Sequence, residues 1–120
     1  MILVDSAIWI DQLHHQDPVF ADLLRRQVVV LHPYVAGEIM LGSLSDRAVV
    51  RLRLADLDPA PVAEHAEVLN LIDSVPLFGT GIGYVDAHLL ASTMLMLGGL
   101  LWTRDKRLAA VAARLGVAFG

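Results

Sequence analysis

The sequence predicts an α/β protein, a three-layer α/β/α sandwich around a central parallel sheet. Short apolar segments alternate along the chain with longer segments of helical periodicity. The short segments are almost continuously apolar, without the alternation of a sheet that has one face in water. In such folds ligands bind beyond the carboxyl ends of the strands, so the residues that follow each strand are the first candidates for function.

Length and composition favour one domain, residues 1–120. A chain of 120 residues is of ordinary size for a domain with a single core. Apolar residues make up 56% of the chain and charged residues 18%, with a formal net charge of −4, which excludes a disordered protein. The surplus of apolar side chains predicts a contact surface for a partner or a second copy.

Export and membrane insertion are not expected. The most apolar window, residues 89–102, is interrupted by Ser92 and Thr93 and is shorter than the roughly 20 residues that span a bilayer. The N-terminus has no basic start and carries Asp5 where a secretory signal would be apolar. There is no cysteine, which excludes disulfide scaffolds, thiolate zinc sites and cysteine nucleophiles. We therefore expect a cytoplasmic protein without a membrane partner.

Caps and apolar periodicity predict the elements of the N-terminal half. Asp5 and Asp17 are helix-capping residues, and Pro18 stands at the first helical position, which proline favours. The apolar, valine-rich run at 28–31 is typical of a strand buried on both faces. We predict, in order, a strand at 2–4, helices at 6–14 and 18–27, a strand at 28–31, and helices at 34–44 and 47–54.

Glycines and prolines divide the C-terminal half. Pro59 and Pro61 interrupt the helical pattern, and three glycines between positions 79 and 83 predict a turn. Residues 84–97 have the strongest helical pattern, and Gly98 suits the end of that helix. We predict, in order, a helix at 61–74, the glycine turn at 79–83, a helix at 84–97, a strand at 100–103, a helix at 105–115 and a strand at 117–119.

Four acidic residues are candidates for a functional site because of their positions in the predicted elements. Asp5 directly follows the first strand, and Asp105 follows the strand at 100–103 after one residue, so both belong to the carboxyl edge of the sheet. Glu38 borders the apolar stripe of its helix, and Asp86 lies in the first turn of the most apolar helix. Helix capping is the alternative for Asp5 and Asp105, and stabilisation of a helix N-terminus is the alternative for Asp86.

Convergence of these acids would call for a metal ion. Neighbouring carboxylates repel one another, which raises their pKa values, and a bound cation relieves the repulsion. Ligand sets made only of oxygen select hard ions such as Mg²⁺ or Mn²⁺. Because such ions activate water and stabilise the oxygens of a phosphoryl centre, the four acids indicate phosphodiester chemistry.

The segments that carry these acids resemble the PIN-domain ribonucleases, and among them the VapC-type toxins of bacterial toxin–antitoxin pairs. The likeness runs nearly from end to end. It is carried by Val4-Asp5-Ser6, by Glu38 within residues 35–40, and by the segments 81–87 and 101–105. The resemblance implies a PIN-like fold with acidic catalytic and metal-binding positions at Asp5, Glu38, Asp86 and Asp105, assisted by the hydroxyls of Ser6 and Thr103.

The same resemblance implies an activity and partners. The protein would be a Mg²⁺-dependent endoribonuclease, with Mn²⁺ able to substitute, that leaves a 3′-hydroxyl and a 5′-phosphate. It would form a homodimer, and a cognate antitoxin would block the acidic groove with its C-terminal segment.

An acidic protein is an unusual partner for RNA, and local basic groups therefore matter. Counting the four proposed ligands as offset by bound cations brings the formal net charge from −4 to about 0. Arg104 and Lys106 flank Asp105 and are the candidate substrate-binding residues, with a solvated surface as the alternative. Further basic groups that could contact phosphates or an antitoxin are Arg107, Arg47, Arg51, Arg25 and Arg26.

Two rival interpretations share the acidic sheet edge. A phosphoacceptor signalling domain would need a lysine after a late strand, and Lys106 is the only lysine in the chain. A catalytically inactive PIN-like module that binds RNA or a protein partner would keep all four acids. The histidines have no metal-binding spacing, and we assign them no functional role.

Overall fold

A parallel sheet of four strands lies at the centre of the computed structural model, which describes residues 1–120. The elements in chain order are β1 (Ile2–Val4), α1 (Ser6–His14), α2 (Pro18–Arg25), β2 (Val29–Leu31), α3 (Pro33–Met40), α4 (Arg47–Ala55), β3 (Asp58–Pro59), α5 (His65–Ser74), α6 (Tyr84–Leu95), β4 (Leu100–Trp102) and α7 (Lys106–Arg114). This alternation confirms the α/β class. None of the helices has the length and apolar character needed to span a membrane.

The order of the strands in the sheet is β3-β2-β1-β4, and all pairs are parallel. In β1, Leu3 pairs with Val30 on one side and with Leu101 on the other. All three residues of β1 are buried, which requires cover on both faces of the sheet and agrees with the predicted three layers.

The strand order creates a switch point between β1 and β4. From β1 the chain adds β2 and then β3 on one side, and it later returns to add β4 on the other side of β1. Connections that leave adjacent strands in opposite directions open a crevice at their carboxyl ends, where open α/β sheets bind ligands. Asp5 follows β1 and Asp105 follows β4, so both acids lie at this crevice.

Aromatic side chains fill the core behind the crevice. The rings of Trp9 and Phe20 meet edge to face at 4.7 Å, and Phe20 meets Trp102 at 5.6 Å. Trp9 and Phe20 are buried, so they are core residues rather than surface contacts.

His32 immediately precedes α3, at a position where the sequence indicated only the end of a strand. Its Nδ1 accepts a hydrogen bond of 3.1 Å from the backbone N–H of Tyr34, which makes it the helix cap. Burial, with a smaller effect from His88, lowers the pKa of His32 from 6.5 to about 4. The imidazole is therefore neutral at physiological pH, which is consistent with a structural role.

Several predicted boundaries were wrong. The helix predicted at 34–44 ends at Met40, where the N–H of Gly42 closes the last turn on Ile39, and the helix at 84–97 ends at Leu95. The helix at 61–74 begins only at His65, because Glu64 and Glu67 form a capping box there.

Two edge strands also differ from the expectations. The short strand β3 was not predicted, because its proline suggested a break, although proline is tolerated at the edge of a sheet. The strand predicted at 117–119 is reduced to a single parallel bridge between Leu101 and Ala118.

Candidate functional site

The four predicted carboxylates come from four different helical segments. Asp5 is the N-cap of α1 and Asp105 is the N-cap of α7, while Asp86 lies in the first turn of α6 and Glu38 within α3. Asp5 and Asp86 are half-buried, whereas Glu38 and Asp105 are exposed.

Asp5 and Asp105 do cap helices, and Asp86 stabilises the start of α6, as the alternatives for these residues predicted. Oδ1 of Asp5 accepts a hydrogen bond of 2.8 Å from the N–H of Ser6, and Oδ1 of Asp105 accepts bonds of 2.9 and 3.0 Å from the N–H groups of Arg107 and Leu108. Oδ2 of Asp86 accepts a bond of 3.2 Å from the N–H of Gly83. These hydrogen bonds leave Oδ1 of Asp86 and Oδ2 of Asp105 without a partner. A carboxylate that bonds a helix N-terminus can therefore also coordinate a metal ion through its other oxygen.

Thr103 joins the acids that follow β1 and β4. Its hydroxyl donates a hydrogen bond of 2.7 Å to Oδ2 of Asp5 and accepts one of 3.1 Å from the N–H of Asp105. A single hydroxyl group thus fixes the two sides of the switch point relative to one another. Ser6 lies near Glu38, and its hydroxyl lowers the pKa of that carboxyl.

The four acids share one electrostatic environment. Partial desolvation raises the pKa of Glu38 although much of its side chain is exposed, and the charges of Asp5 and Asp86 raise it further, against the opposing effect of the Ser6 hydroxyl. Burial also raises the pKa of Asp86, opposed by the Gly83 N–H and reinforced by the charges of Asp5 and Asp105. The charges of Asp5, Asp86 and Asp105 therefore each raise the pKa of another acid in the group, and Glu38 and Asp86 are the acids whose pKa is raised.

The donor chemistry fits a hard divalent cation. No three His, Cys, Asp or Glu side chains are close enough together, as placed, to hold an ion. The four acids nevertheless offer only oxygen donors, among them the unbonded Oδ1 of Asp86 and Oδ2 of Asp105, and their mutual repulsion is the condition that a cation relieves. Glu38 is exposed, so its side chain can rotate, whereas two backbone N–H groups hold Asp105.

The two predicted substrate-binding residues differ in availability. The guanidinium group of Arg104 forms an ion pair with Asp11 on α1, so it is already engaged. Lys106 is exposed and forms no ion pair, so its ammonium group is free to meet a phosphate.

A further contact near Asp86 was missed by the sequence analysis. The hydroxyl of Tyr84 hydrogen-bonds Nε2 of His88 at 2.9 Å and also contacts Nδ1 of His65. These bonds tie α5 to the first turn of α6, two residues before Asp86. The four-residue spacing of Tyr84 and His88 was the available signal, since such pairs face each other on a helix.

Two curated relatives match almost the whole chain. Ribonuclease VapC32 of Mycobacterium tuberculosis, from strain CDC 1551 / Oshkosh and from strain ATCC 25618 / H37Rv, is in both cases 48% identical over 118 residues, which cover 98% of this chain and 95% of the relative. The chain belongs to the VapC-type PIN-domain family. Membership of the VapC family confirms the resemblance drawn from the four acidic segments. No protein-family model matches the chain, and no solved structure matches it significantly.

Replacement of Thr103 by valine tests the link between β1 and β4. Thr103→Val keeps the shape of the side chain but leaves Oδ2 of Asp5 without its hydroxyl donor and the N–H of Asp105 without its acceptor. We expect the free energy of unfolding at pH 7 to fall by about 1–3 kcal/mol, measured by urea denaturation. Thr103→Ser retains the hydroxyl and is the control, expected to lose less than half as much. A valine variant as stable as the wild type would contradict the linking role.

Proposed function

We propose that this protein is a Mg²⁺-dependent endoribonuclease toxin, with Mn²⁺ as an alternative metal, that hydrolyses RNA phosphodiester bonds. The observation that carries the proposal is the shared electrostatic environment of four carboxylates around the β1–β4 switch point. The identity to curated proteins named ribonuclease supports the choice of RNA as the substrate.

Asp5, Glu38, Asp86 and Asp105 would hold the metal. When bound, it would supply a water of lowered pKa and offset negative charge on the phosphate. The protein contributes the positions of the carboxylates. Backbone N–H groups fix Asp5, Asp86 and Asp105 before any ligand arrives, which limits the ordering needed on binding.

The two auxiliary hydroxyls act through the carboxylates. Thr103 orients Asp5, and Ser6 orients Glu38, so we assign both residues a positioning role rather than direct contact with substrate. The helix N-termini at Asp5, Asp86 and Asp105 add positive partial charge beneath the acids, which lowers the cost of gathering them.

A catalytically inactive PIN-like module that binds RNA or a partner is the second candidate. The same four acids would be present in such a protein, because ligands for a metal do not by themselves produce turnover. Retention of RNA without cleavage is the behaviour that would favour it.

RNA cleavage by the purified protein, free of any antitoxin, tests the proposal. We expect cleavage with Mg²⁺ or Mn²⁺ and none in EDTA. Asp86→Asn should reduce the rate by at least about 100-fold, since loss of even a residue that supports a ligand costs about 10–100-fold. Asp73→Asn, which changes an exposed aspartate on α5 outside the site, is the matched control and should cleave like the wild type.

The proposal also predicts the chemical ends of the RNA fragments, and two results would count against it. Fragments should carry a 3′-hydroxyl and a 5′-phosphate. Equal cleavage by the Asp86→Asn variant and the wild type would contradict the site. Binding of RNA by the folded wild type, without cleavage in either metal, would favour the inactive module.

We further propose that two copies of the chain pair, and that a cognate antitoxin covers the acidic groove with its C-terminal segment. Large apolar side chains stand exposed, which supports contact with other protein surfaces. The most exposed are Leu41, Leu52, Phe78 and Leu97, at 89%, 69%, 67% and 102% of their full accessibility.

Light scattering tests the homodimer. The mass in solution should be close to twice the 13.0 kDa of one chain over a range of protein concentrations. A mass of 13.0 kDa at every concentration would exclude the dimer.

A further inference from the structure

A groove beside the acidic site is lined by positively charged side chains and by no acidic ones. It lies between α7 and the glycine turn at 79–83, and its volume is about 430 Å³. Its lining residues are Thr80, Lys106, Arg107, Ala110, Val111 and Arg114.

The three cations of this groove have no carboxylate partner. The ion pairs of the chain involve only Arg25, Arg26 and Arg104 among the basic residues. No acidic side chain therefore forms an ion pair with Lys106, Arg107 or Arg114. This separates Lys106, Arg107 and Arg114 from Arg104, whose charge Asp11 already neutralises.

Arg114 is hydrogen-bonded to the protein backbone, and Arg107 lies against the glycine turn. Nη2 of Arg114 donates hydrogen bonds of 2.6 and 3.0 Å to the carbonyl oxygens of Val75 and Pro76. The side chain of Arg107 crosses the glycine turn so closely that a Cβ atom on Gly81 would lie 2.9 Å from Arg107 Cδ. Gly81 also has a φ of +84°, which favours glycine, so the turn suits both this conformation and the close approach of the arginine.

Residues of the groove adjoin two of the acids along the chain. Lys106 directly follows Asp105, and the glycine turn leads through Gly83, whose N–H bonds Asp86, into α6. A chain of phosphates whose scissile group lay among the carboxylates would thus have a positively charged path next to it. Cations on such a path would offset the repulsion between the acidic site and the neighbouring phosphates.

We propose that this groove binds the phosphodiester backbone of the RNA substrate on one side of the scissile bond, with Arg107 and Lys106 as the principal contacts. The inference rests on the proposed ribonuclease function, and it assigns the subsite to a backbone rather than to a base. The floor of the groove is Ala110 and Val111, with no aromatic side chain for base stacking. The same floor offers no deep apolar pocket to anchor an acidic peptide, which a protein partner would need.

The salt dependence of RNA binding measures these contacts directly. A single-stranded RNA oligonucleotide with a fluorescent label is titrated with protein in EDTA, where no metal-dependent cleavage occurs, at salt concentrations from about 50 to 200 mM. For single strands the slope of log K against log salt is about −0.7 for each phosphate contact. Arg107→Gln should reduce the magnitude of the slope by about 0.7, and the double variant Lys106→Gln with Arg107→Gln by about 1.4.

Two further variants separate this subsite from a general charge effect. Arg107→Lys keeps the charge and should retain the wild-type slope. Arg53→Gln removes an exposed arginine of α4, which does not line the groove, and should leave the slope unchanged. Equal urea denaturation midpoints for the wild type and Arg107→Gln would show that the fold is intact.

Three results would overturn the inference. They are an unchanged slope for Arg107→Gln, an equal reduction for Arg53→Gln, and binding of a polyglutamate peptide that is tighter than that of RNA and depends on Arg107. Cleavage of the same RNA with Mg²⁺ is measured in parallel. A reduced slope for Arg107→Gln together with no cleavage by the wild type would support the subsite and contradict the proposed activity. Failure of the subsite and failure of the proposed activity are therefore distinguishable.

Discussion

Repulsion among four carboxylates at the carboxyl ends of β1 and β4 is the constraint on which the rest of the site depends. The fold opposes it with hydrogen-bond donors rather than with basic side chains. Backbone N–H groups at three helix N-termini bond Asp5, Asp86 and Asp105, and the hydroxyl of Thr103 bridges two of these acids. Because no cation of the protein neutralises the group, the carboxylates remain available to a metal ion.

Helix capping and metal binding were alternatives in the sequence, and the structure makes them compatible. An N-cap aspartate uses one carboxylate oxygen for the helix, as Asp105 does with Oδ1, and keeps the other oxygen free. The capped oxygen fixes the orientation of the free one. The basic residues beside this acidic centre differ in their pairing. Asp11 neutralises Arg104, whereas Lys106 and Arg107 line the neighbouring groove without an ion pair.

Local signals predicted most of the elements and the element on which each acid lies. The caps at Asp5 and Asp17 and the apolar strands depend on neighbouring residues only, so the sequence was enough. The bond from Thr103 to Asp5 joins residues 98 positions apart, and β3 exists because it pairs with β2. The strand order and the approach of Arg107 to the glycine turn depend equally on distant contacts, which periodicity does not encode. The roles of the four acids in catalysis remain predictions.

A crystal structure of the protein with Mn²⁺, located by anomalous scattering, tests most directly whether the four acids bind a metal. We expect an anomalous peak within about 2.5 Å of carboxylate oxygens from at least three of the four acids. Asp5 and Asp86 should be among the ligands, and Glu38 should have rotated toward the ion. A peak elsewhere on the surface, or a site empty at a Mn²⁺ concentration that supports RNA cleavage, would contradict metal binding by these acids.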